Sequence, residues 1–200
     1  MAEEARDIGR GEDFLDEIAE AAIHDLAIGG AEYLLDDGEV RGIIQKGERR
    51  TIAYRKSGII IPTGNPGNIQ NLEDLTKAGV RVGISVIDCL KGVWEDICGR
   101  QGLIETVRNN ITFHANGCIA IVEAVAERKV DAAFGWTTFE NLAPGRIKVI
   151  PLPEDQSICR STCIGLLKFS SEPEAATHFM DFLTTEEARA CYIEFGWILY

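Results

Sequence analysis

Residues 79–136 decide the fold, and they read GVRVGISVIDCLKGVWEDICGRQGLIETVRNNITFHANGCIAIVEAVAERKVDAAFGW. Short β-branched runs alternate with amphipathic segments, which predicts strand, loop, helix, strand, loop, helix and strand. Each loop joins the carboxyl end of a strand to the amino end of a helix, and ligands bind at that edge of an open parallel sheet. Free N–H groups at helix amino ends favour anions. The strands are expected at 80–85, 111–114 and 130–136, the helices from 93 and over 118–129, and the loops at 86–92 and 115–117.

The rest of the chain continues the alternation, so the sequence predicts an α/β fold with mostly parallel sheets. Turn clusters at 62–68 and 141–145 bracket a central block, which suggests two lobes with a cleft between them. Thr184 and Glu187 form a predicted capping box before the last helix, and Asn71 is a predicted N-cap. The other strands are expected at 25–28, 51–54, 57–61, 147–151 and 161–168, and the other helices at 11–22, 31–37, 174–183 and 184–194.

The net charge of −12 argues against nucleic acid and against anionic lipid as partners, because their binders need clustered Lys and Arg. It allows a small anionic ligand, since local N–H groups outweigh distant, screened charges. No apolar run is long enough to span a bilayer, and the charged amino terminus has no signal-peptide core. These features predict a cytoplasmic protein or a chain that lacks its leader.

The six cysteines form no CxxC pair, which disfavours a structural zinc site, and no metal is expected. Most are interpreted as small buried apolar side chains, and free thiols suggest a reducing compartment or an anaerobic source. The scattered residues His24, His114 and His178 are interpreted as structural.

Four segments resemble the type II periplasmic substrate-binding proteins. They are closest to the molybdate-binding and sulfate-binding branch and to the accessory colonisation factor proteins. The segments are DLAIGGAE at 25–32, NPGNIQNLEDL at 65–75 followed by GVRVGIS at 79–85, VDAAFGW at 130–136, and SEPEAATHFMDFLTTEEA at 171–188. The chain also ends on the family's Phe195-Gly196-Trp197 pattern. The resemblance covers about residues 14–197.

The resemblance implies a two-lobed α/β fold in which each lobe is a mostly parallel sheet flanked by helices. Residues 1–65 would form the first part of lobe 1, 66–145 lobe 2, and 146–200 the return to lobe 1. The family places a strand, a helix and a second strand before the segment that matches 11–22. The first lobe is therefore expected to be incomplete at its amino terminus.

The resemblance also implies ligand contacts at loops facing the cleft. The ligand-binding positions carried over are Gly29, Gly30, Leu90, Lys91, Gly92, Asn116, Gly117, Cys118, Trp136 and Arg160. Each has an ordinary structural alternative. The loops and glycines would only cap helices and form turns, Trp136 would only pack in the core, and Arg160 and Lys91 would be solvated charges.

The implied function is that of a solute-binding protein of an ABC-type transporter, a monomer without cofactor and not an enzyme. Backbone N–H donors would hold a small oxyanion of the molybdate, tungstate and sulfate class. The resemblance places the protein in the periplasm or elsewhere outside the cytoplasm, and the family's partner is an ABC-type membrane permease. A small carboxylate or amino acid bound by Arg160 is an alternative. Two others are a cytoplasmic sensor or non-binding remnant, and a Cys-His enzyme that would use Cys118 and His114.

Overall fold

The computed structural model describes residues 14–200, so the beginning of the helix expected over 11–22 lies outside the described residues. Seven α-helices and seven strands are found in this part of the chain. The helices are α1 Phe14–Ala21, α2 Glu32–Val40, α3 Val93–Arg100, α4 Ile104–Arg108, α5 Cys118–Ala126, α6 Pro173–Phe182 and α7 Glu186–Glu194. The strands are β1 Leu26–Gly29, β2 Ile44–Pro62, β3 Val82–Ser85, β4 Ile111–Ala115, β5 Ala132–Trp136, β6 Ile147–Pro151 and β7 Cys159–Leu167. Short 3₁₀ turns cover Glu73–Thr76, Asp88–Leu90 and Thr137–Leu142.

Strand β2 joins two sheets. The strand order is β1-β7-β2-β5-β3-β4, and β6 also pairs with β2. The first part of β2 pairs with β7 as far as Lys56, and from Ser57 onward β2 pairs with β5 and β6. We call the two halves the first lobe (β1, β7, the start of β2, α1, α2, α6 and α7) and the second lobe (residues 57–158).

The mixed α/β class and the two lobes agree with the sequence prediction, but the strand directions differ between the lobes. In the second lobe β3 pairs in parallel with both β4 and β5, as expected, whereas β2 pairs antiparallel with β5 and β6, so this sheet is mixed. In the first lobe every described pair is antiparallel, which corrects the expectation of a mostly parallel sheet there. The reason is topological. Strand β2 leaves the first lobe while β7 returns to it, so these neighbours run in opposite directions.

The lobes meet where β2 changes partners. Ser57 N–H donates to Ile158 O at 2.9 Å, and Ile158 N–H donates to Ser57 Oγ at 2.9 Å. The two segments that connect the lobes, at Ser57 and at Ile158, are thus hydrogen-bonded to each other. Residues 57–62 of β2 and 147–151 of β6 belong to the second sheet, whereas the predicted lobe boundaries were at 65 and 145.

Several predicted elements are changed in detail. The strands expected at 51–54 and 57–61 are one strand, because Arg55 and Lys56, taken as a break, stay paired with β7. Helix α4 was not expected. The N-cap of α7 is Thr185 rather than Thr184, since the Thr185 hydroxyl accepts from Ala188 N–H at 3.4 Å. Thr184 instead donates to Asp181 O at 2.7 Å and closes the end of α6.

Buried apolar side chains form three clusters. The largest fills the second lobe and includes Ile59, Ile97 and Phe134. Two smaller clusters lie in the first lobe, one around Leu35 and Ile44, and one that contains Ile164 and Met180. Each lobe therefore has its own core. Within residues 14–200, no helix has the length and apolar character needed to cross a membrane.

Candidate functional site

The two lobes touch at Gly30, directly after β1. A Cβ atom built on Gly30 would lie 2.9 Å from Cys89 Cβ and 3.3 Å from Arg55 Nη2. Cys89 belongs to the 3₁₀ turn Asp88–Leu90, which precedes α3 in the second lobe. Contact this close requires glycine at position 30, and it brings the loop after β1 against the loop before α3.

Arg55 lies at the centre of this contact. Its side chain is on β2, and the residue is only 5% exposed. Its Nη2 donates to Gly30 O, and its guanidinium carbon lies 5.0 Å from the Trp136 ring centroid and 5.3 Å from that of Trp197. Arg55 Nε has no hydrogen-bond partner, and no carboxylate within residues 14–200 pairs with Arg55. The Arg55 cation is therefore buried at the contact between the lobes, with an indole ring on each side.

The chain end holds Trp197 in place. Tyr54 and Ile198 exchange two backbone hydrogen bonds, each 2.8 Å long. This bridge lays the residue before Ile198 alongside the residue after Tyr54, which explains why Trp197 and Arg55 are neighbours. The Phe195-Gly196-Trp197 ending therefore supplies one wall around the guanidinium.

Two thiols of the second lobe, those of Cys89 and Cys118, lie beside Arg55. Cys89 Sγ lies 2.9 Å from Cys118 Sγ, and Trp136 Nε1–H donates to Cys89 Sγ at 3.2 Å. The hydrogen bond from Cys118 lowers the pKa of Cys89 to about 6, and the positive charge of Arg55 and the Trp136 donor act in the same direction against burial. The hydrogen bond to Cys89, together with burial, raises the pKa of Cys118. The pair therefore shares one proton and carries one negative charge beside Arg55.

Arg160 fastens the rim of the cleft. Its Nη1 donates to Lys91 O at 2.8 Å and to Cys89 O at 3.4 Å, and its Nη2 pairs with the Asp96 carboxylate at 3.3 Å. On the same rim, Tyr33 OH donates to Asp88 O at 2.8 Å. Both side chains start in the first lobe and end on the second, so they hold the lobes together.

The remaining predicted positions divide into backbone donors and packing residues. Gly92 and Gly117 are the N-caps of α3 and α5, with φ of +74° and +99°, and neither helix has a side-chain cap. Their first-turn N–H groups are thus available to a ligand. The side chain of Leu90 packs in the core, Asn116 is exposed, and Gly29 packs against Leu35.

Most of the predicted positions are brought together at this cleft, but two residues central to it were missed. Arg55 and Trp197 were not predicted site residues. If the strands expected at 51–54 and 57–61 are joined into one, the alternation of side chains puts Ala53, Arg55 and Ser57 on the same buried face. A buried arginine on such a face is the signal that would have identified Arg55 as a site residue. The Cys-His arrangement considered from sequence is replaced by a thiol pair, since Cys118 contacts Cys89 and His114 is exposed.

A cavity of about 520 Å³ adjoins the cleft at its rim. Glu32 and Ser161 on its wall are joined by a 2.7 Å hydrogen bond from the hydroxyl to the carboxylate. Its lining residues are Ala31, Glu32, Tyr33, Tyr54, Cys159, Arg160, Ser161 and Tyr200. Within residues 14–200 no group of three or more His, Cys, Asp or Glu side chains is arranged to hold a metal ion.

Solved structures of binding proteins share this fold. The L-phospholactate-bound PEB3 superposes with a TM-score of 0.80 at 21% identity, over 92% of this chain and 83% of that one; PEB3 comes from Campylobacter jejuni. The periplasmic molybdate-binding protein of Azotobacter vinelandii gives 0.77 at 20% identity, over 96% and 85%. The sulfate-binding protein SubI of Mycobacterium tuberculosis gives 0.78 at 15%, over 92% and 72%.

Sequence comparison gives the family directly. No curated protein sequence matches the chain closely enough to count as a relative. The family model described as bacterial extracellular solute-binding protein matches residues 8–198, which is nearly the whole chain. The chain therefore belongs to the bacterial extracellular solute-binding protein family.

Proposed function

We propose that this protein binds a small oxyanion of the molybdate, tungstate and sulfate class in the cleft at Gly30, Arg55 and Cys89, and delivers it to an ABC-type membrane permease. The observation that carries the proposal is the buried Arg55 guanidinium, which has no carboxylate partner within the described residues. Its nearest negative charge is the thiolate shared by Cys89 and Cys118 rather than a carboxylate, and an anion placed against the guanidinium would lower the remaining cost of burying it.

The helix starts reinforce the preference for an anion. Helices α3 and α5 begin at Val93 and Cys118, next to the turn that holds Cys89, and their first turns lack side-chain caps. Helix amino ends add partial positive charge and free donors to the charge of Arg55. Selectivity among anions would then follow from cavity size and donor count, as in other oriented-donor sites.

The thiol pair gives the proposal a measurable signature. In the absence of ligand, the negative charge shared by Cys89 and Cys118 is the nearest compensation for Arg55. An incoming anion repels that charge and raises the pKa of Cys89, so the pair takes up a proton. Binding near pH 7 should therefore be accompanied by net proton uptake.

A small organic acid is the second candidate, and the cavity at the rim favours it. Its volume of about 520 Å³ exceeds what a four-oxygen anion needs and falls in the range of organic-ligand pockets. Arg160 lies on its wall, although its Nη1 and Nη2 already bond the second lobe. The related structure of PEB3 holds L-phospholactate, which makes that compound a suitable probe.

Thermal unfolding with a panel of anions tests both candidates. Molybdate, tungstate and sulfate form one arm, L-phospholactate and simple carboxylates the other, and chloride at equal ionic strength is the control. A ligand at 100 times its Kd stabilises by about 2.7 kcal/mol, which raises Tm by about 5–10 °C in a chain of this size. A shift with the tetrahedral oxyanions alone supports the first candidate, a shift with organic acids alone supports the second, and no shift with any probe contradicts both.

Calorimetry in buffers of different ionisation enthalpy measures the protons taken up on binding, and so tests whether the anion binds next to the thiol pair. Proton uptake on binding, lost in the Cys89→Ser variant, places the anion next to the thiol pair. Binding with no proton exchange in the wild-type protein at pH 7 would place the anion elsewhere.

Gly30→Ala is expected to weaken anion binding by about 5-fold to 150-fold. The added methyl would meet Cys89 Cβ at 2.9 Å and keep the lobes from closing fully, and overpacking of this kind costs about 1–3 kcal/mol. Titration calorimetry measures the affinity. The matched control is Gly29→Ala, whose methyl would press on the terminal Leu35 Cδ1 inside the first lobe. It should lower unfolding stability and leave affinity unchanged. Equal affinity losses in the two variants would contradict the assignment of Gly30 to lobe closure.

A further inference from the structure

We propose that Cys89 and Cys118 are a redox site that closes reversibly to an intramolecular disulfide by exchange with a small-molecule disulfide. The two sulfur atoms are 2.9 Å apart, although the residues are 29 positions apart in the chain. A disulfide bond is about 2.05 Å long, so the sulfurs need to approach by only about 0.9 Å. The bond would tie the turn before α3 to the first residue of α5. The inference does not depend on which solute the cleft binds.

The other cysteines are not arranged for this reaction. All six cysteines of the chain lie within residues 14–200, and the structure gives a single thiol–thiol contact in that range. Burial raises the pKa of Cys98 to about 12 and that of Cys163 to about 12, so both remain thiols at neutral pH. Cys159 and Cys191 are exposed but lie on β7 and α7, with no second thiol in contact. The pairing is therefore specific.

The surroundings of the pair favour the reactive thiolate. Arg55 on β2 and the Trp136 donor on β5 stabilise negative charge on Cys89, while Asp88 on the same turn disfavours it on Cys118. Arg160 on β7 adds a positive charge that holds the Cys89 carbonyl. Since the thiolate is the nucleophile in exchange, this pair should react at a pH at which an ordinary thiol is mostly protonated.

The order of the two steps follows from exposure. Cys118 is half-buried, whereas Cys89 is 6% exposed. The proton shared by the pair passes from Cys118 to Cys89, and the resulting Cys118 thiolate attacks the reagent disulfide, whose S–S bond breaks and releases one thiolate. Cys89 then loses its proton to solvent, and its thiolate attacks the Cys118 sulfur of the mixed disulfide and releases the second thiolate. The protein loses two protons and two electrons, and the reagent takes up both pairs as two thiols.

The test is exposure of the full chain to oxidised glutathione, followed by an acid quench, alkylation of the remaining thiols and peptide mapping by mass spectrometry. The expected product is a Cys89–Cys118 cross-link that dithiothreitol reverses, with Cys98 and Cys163 alkylated only after denaturation. Cys118→Ser removes the cross-link. Cys89→Ser traps glutathione on Cys118, because the displacing thiol is gone. Cross-linking between other cysteines, or no cross-link after prolonged oxidation, overturns the proposal.

A pH profile separates an activated pair from two thiols that are merely close. The reaction rate should rise as pH increases through about 6 and then level off, since the thiol pair carries its one negative charge above that value and either sulfur can act as the thiolate. Trp136→Phe keeps the ring and removes the donor, so it should slow the reaction near pH 6 by up to about tenfold for each unit by which the pKa rises. A wild-type profile that rises only near pH 8.5, as for a free thiol, would contradict the activation.

Discussion

Replacing Arg55 by methionine is expected to lower the affinity for the anion by about 30-fold or more. Loss of one partner of a buried charge pair costs about 2–5 kcal/mol of binding free energy, which corresponds to this factor or greater. Methionine keeps the unbranched length of the side chain between Trp136 and Trp197, so the indole rings stay packed. Titration calorimetry with the anion that stabilises the wild-type protein measures the change.

Two variants make this result specific. Arg55→Lys keeps the charge but not the planar fork, so its affinity should lie between those of wild type and Arg55→Met. Arg50→Met removes a part-exposed arginine on the same strand, whose Nε lies 3.2 Å from Asp181 Oδ1. It should bind normally, because exposed ion pairs contribute about 0–1 kcal/mol to stability and Asp181 lies on α6, outside the cleft. Anion binding by Arg55→Met at wild-type affinity would contradict the proposed site.

Truncating Trp136 to alanine is expected to lower the free energy of unfolding by about 3–5 kcal/mol, the usual range for a large buried aromatic residue. Trp136 is fully buried at the end of β5, where it packs in the second-lobe core, faces Arg55 and donates to Cys89. Its removal opens a cavity and leaves a buried cation without one of its two rings. Denaturant unfolding, with the slope m compared between variants, measures the loss.

The controls distinguish packing from the polar contact. Trp136→Phe should cost about 1–2 kcal/mol, because it keeps most of the ring and loses the indole N–H. Trp197→Ala removes the opposite, half-buried ring and should cost less than Trp136→Ala. If Trp197→Ala proved the more damaging of the two, the interpretation of Trp136 as the buried anchor would be wrong.

The sequence predicted the second lobe well because its elements carry local signals. β-branched runs such as 80–85 and 111–114 favour strands, of which β3 is buried and β4 is part-exposed, and the glycines before α3 and α5 mark helix starts. Strand directions in the first lobe could not be predicted, since they depend on β7 returning from the other lobe. The extent of β2 was missed because Arg55 and Lys56 carry the composition of a loop.

Only the site residues that lie in loops at strand and helix ends could be predicted from the sequence. Gly30, Gly92 and Gly117 could be placed from strand and helix ends. The position of Arg55 needed the register of a 19-residue strand and a ring supplied by the chain end. Arg160 was expected to face a ligand. It lines the adjoining cavity, but its Nη1 and Nη2 are bonded to Lys91 O and Asp96, a distinction that requires coordinates.

Strand β2 passes unbroken between the lobes, so any rotation of one lobe against the other must be absorbed where its partners change, at Lys56 and Ser57. Arg55 is adjacent to this hinge, so a rotation of the lobes would move it only a little. Tyr33, in contrast, reaches across the rim to Asp88. The guanidinium is therefore nearly in its final position while the rim is still open. The association rate of the anion should therefore depend on the charge of Arg55, and its dissociation rate on the rim contacts of Tyr33 and Arg160 that form afterwards.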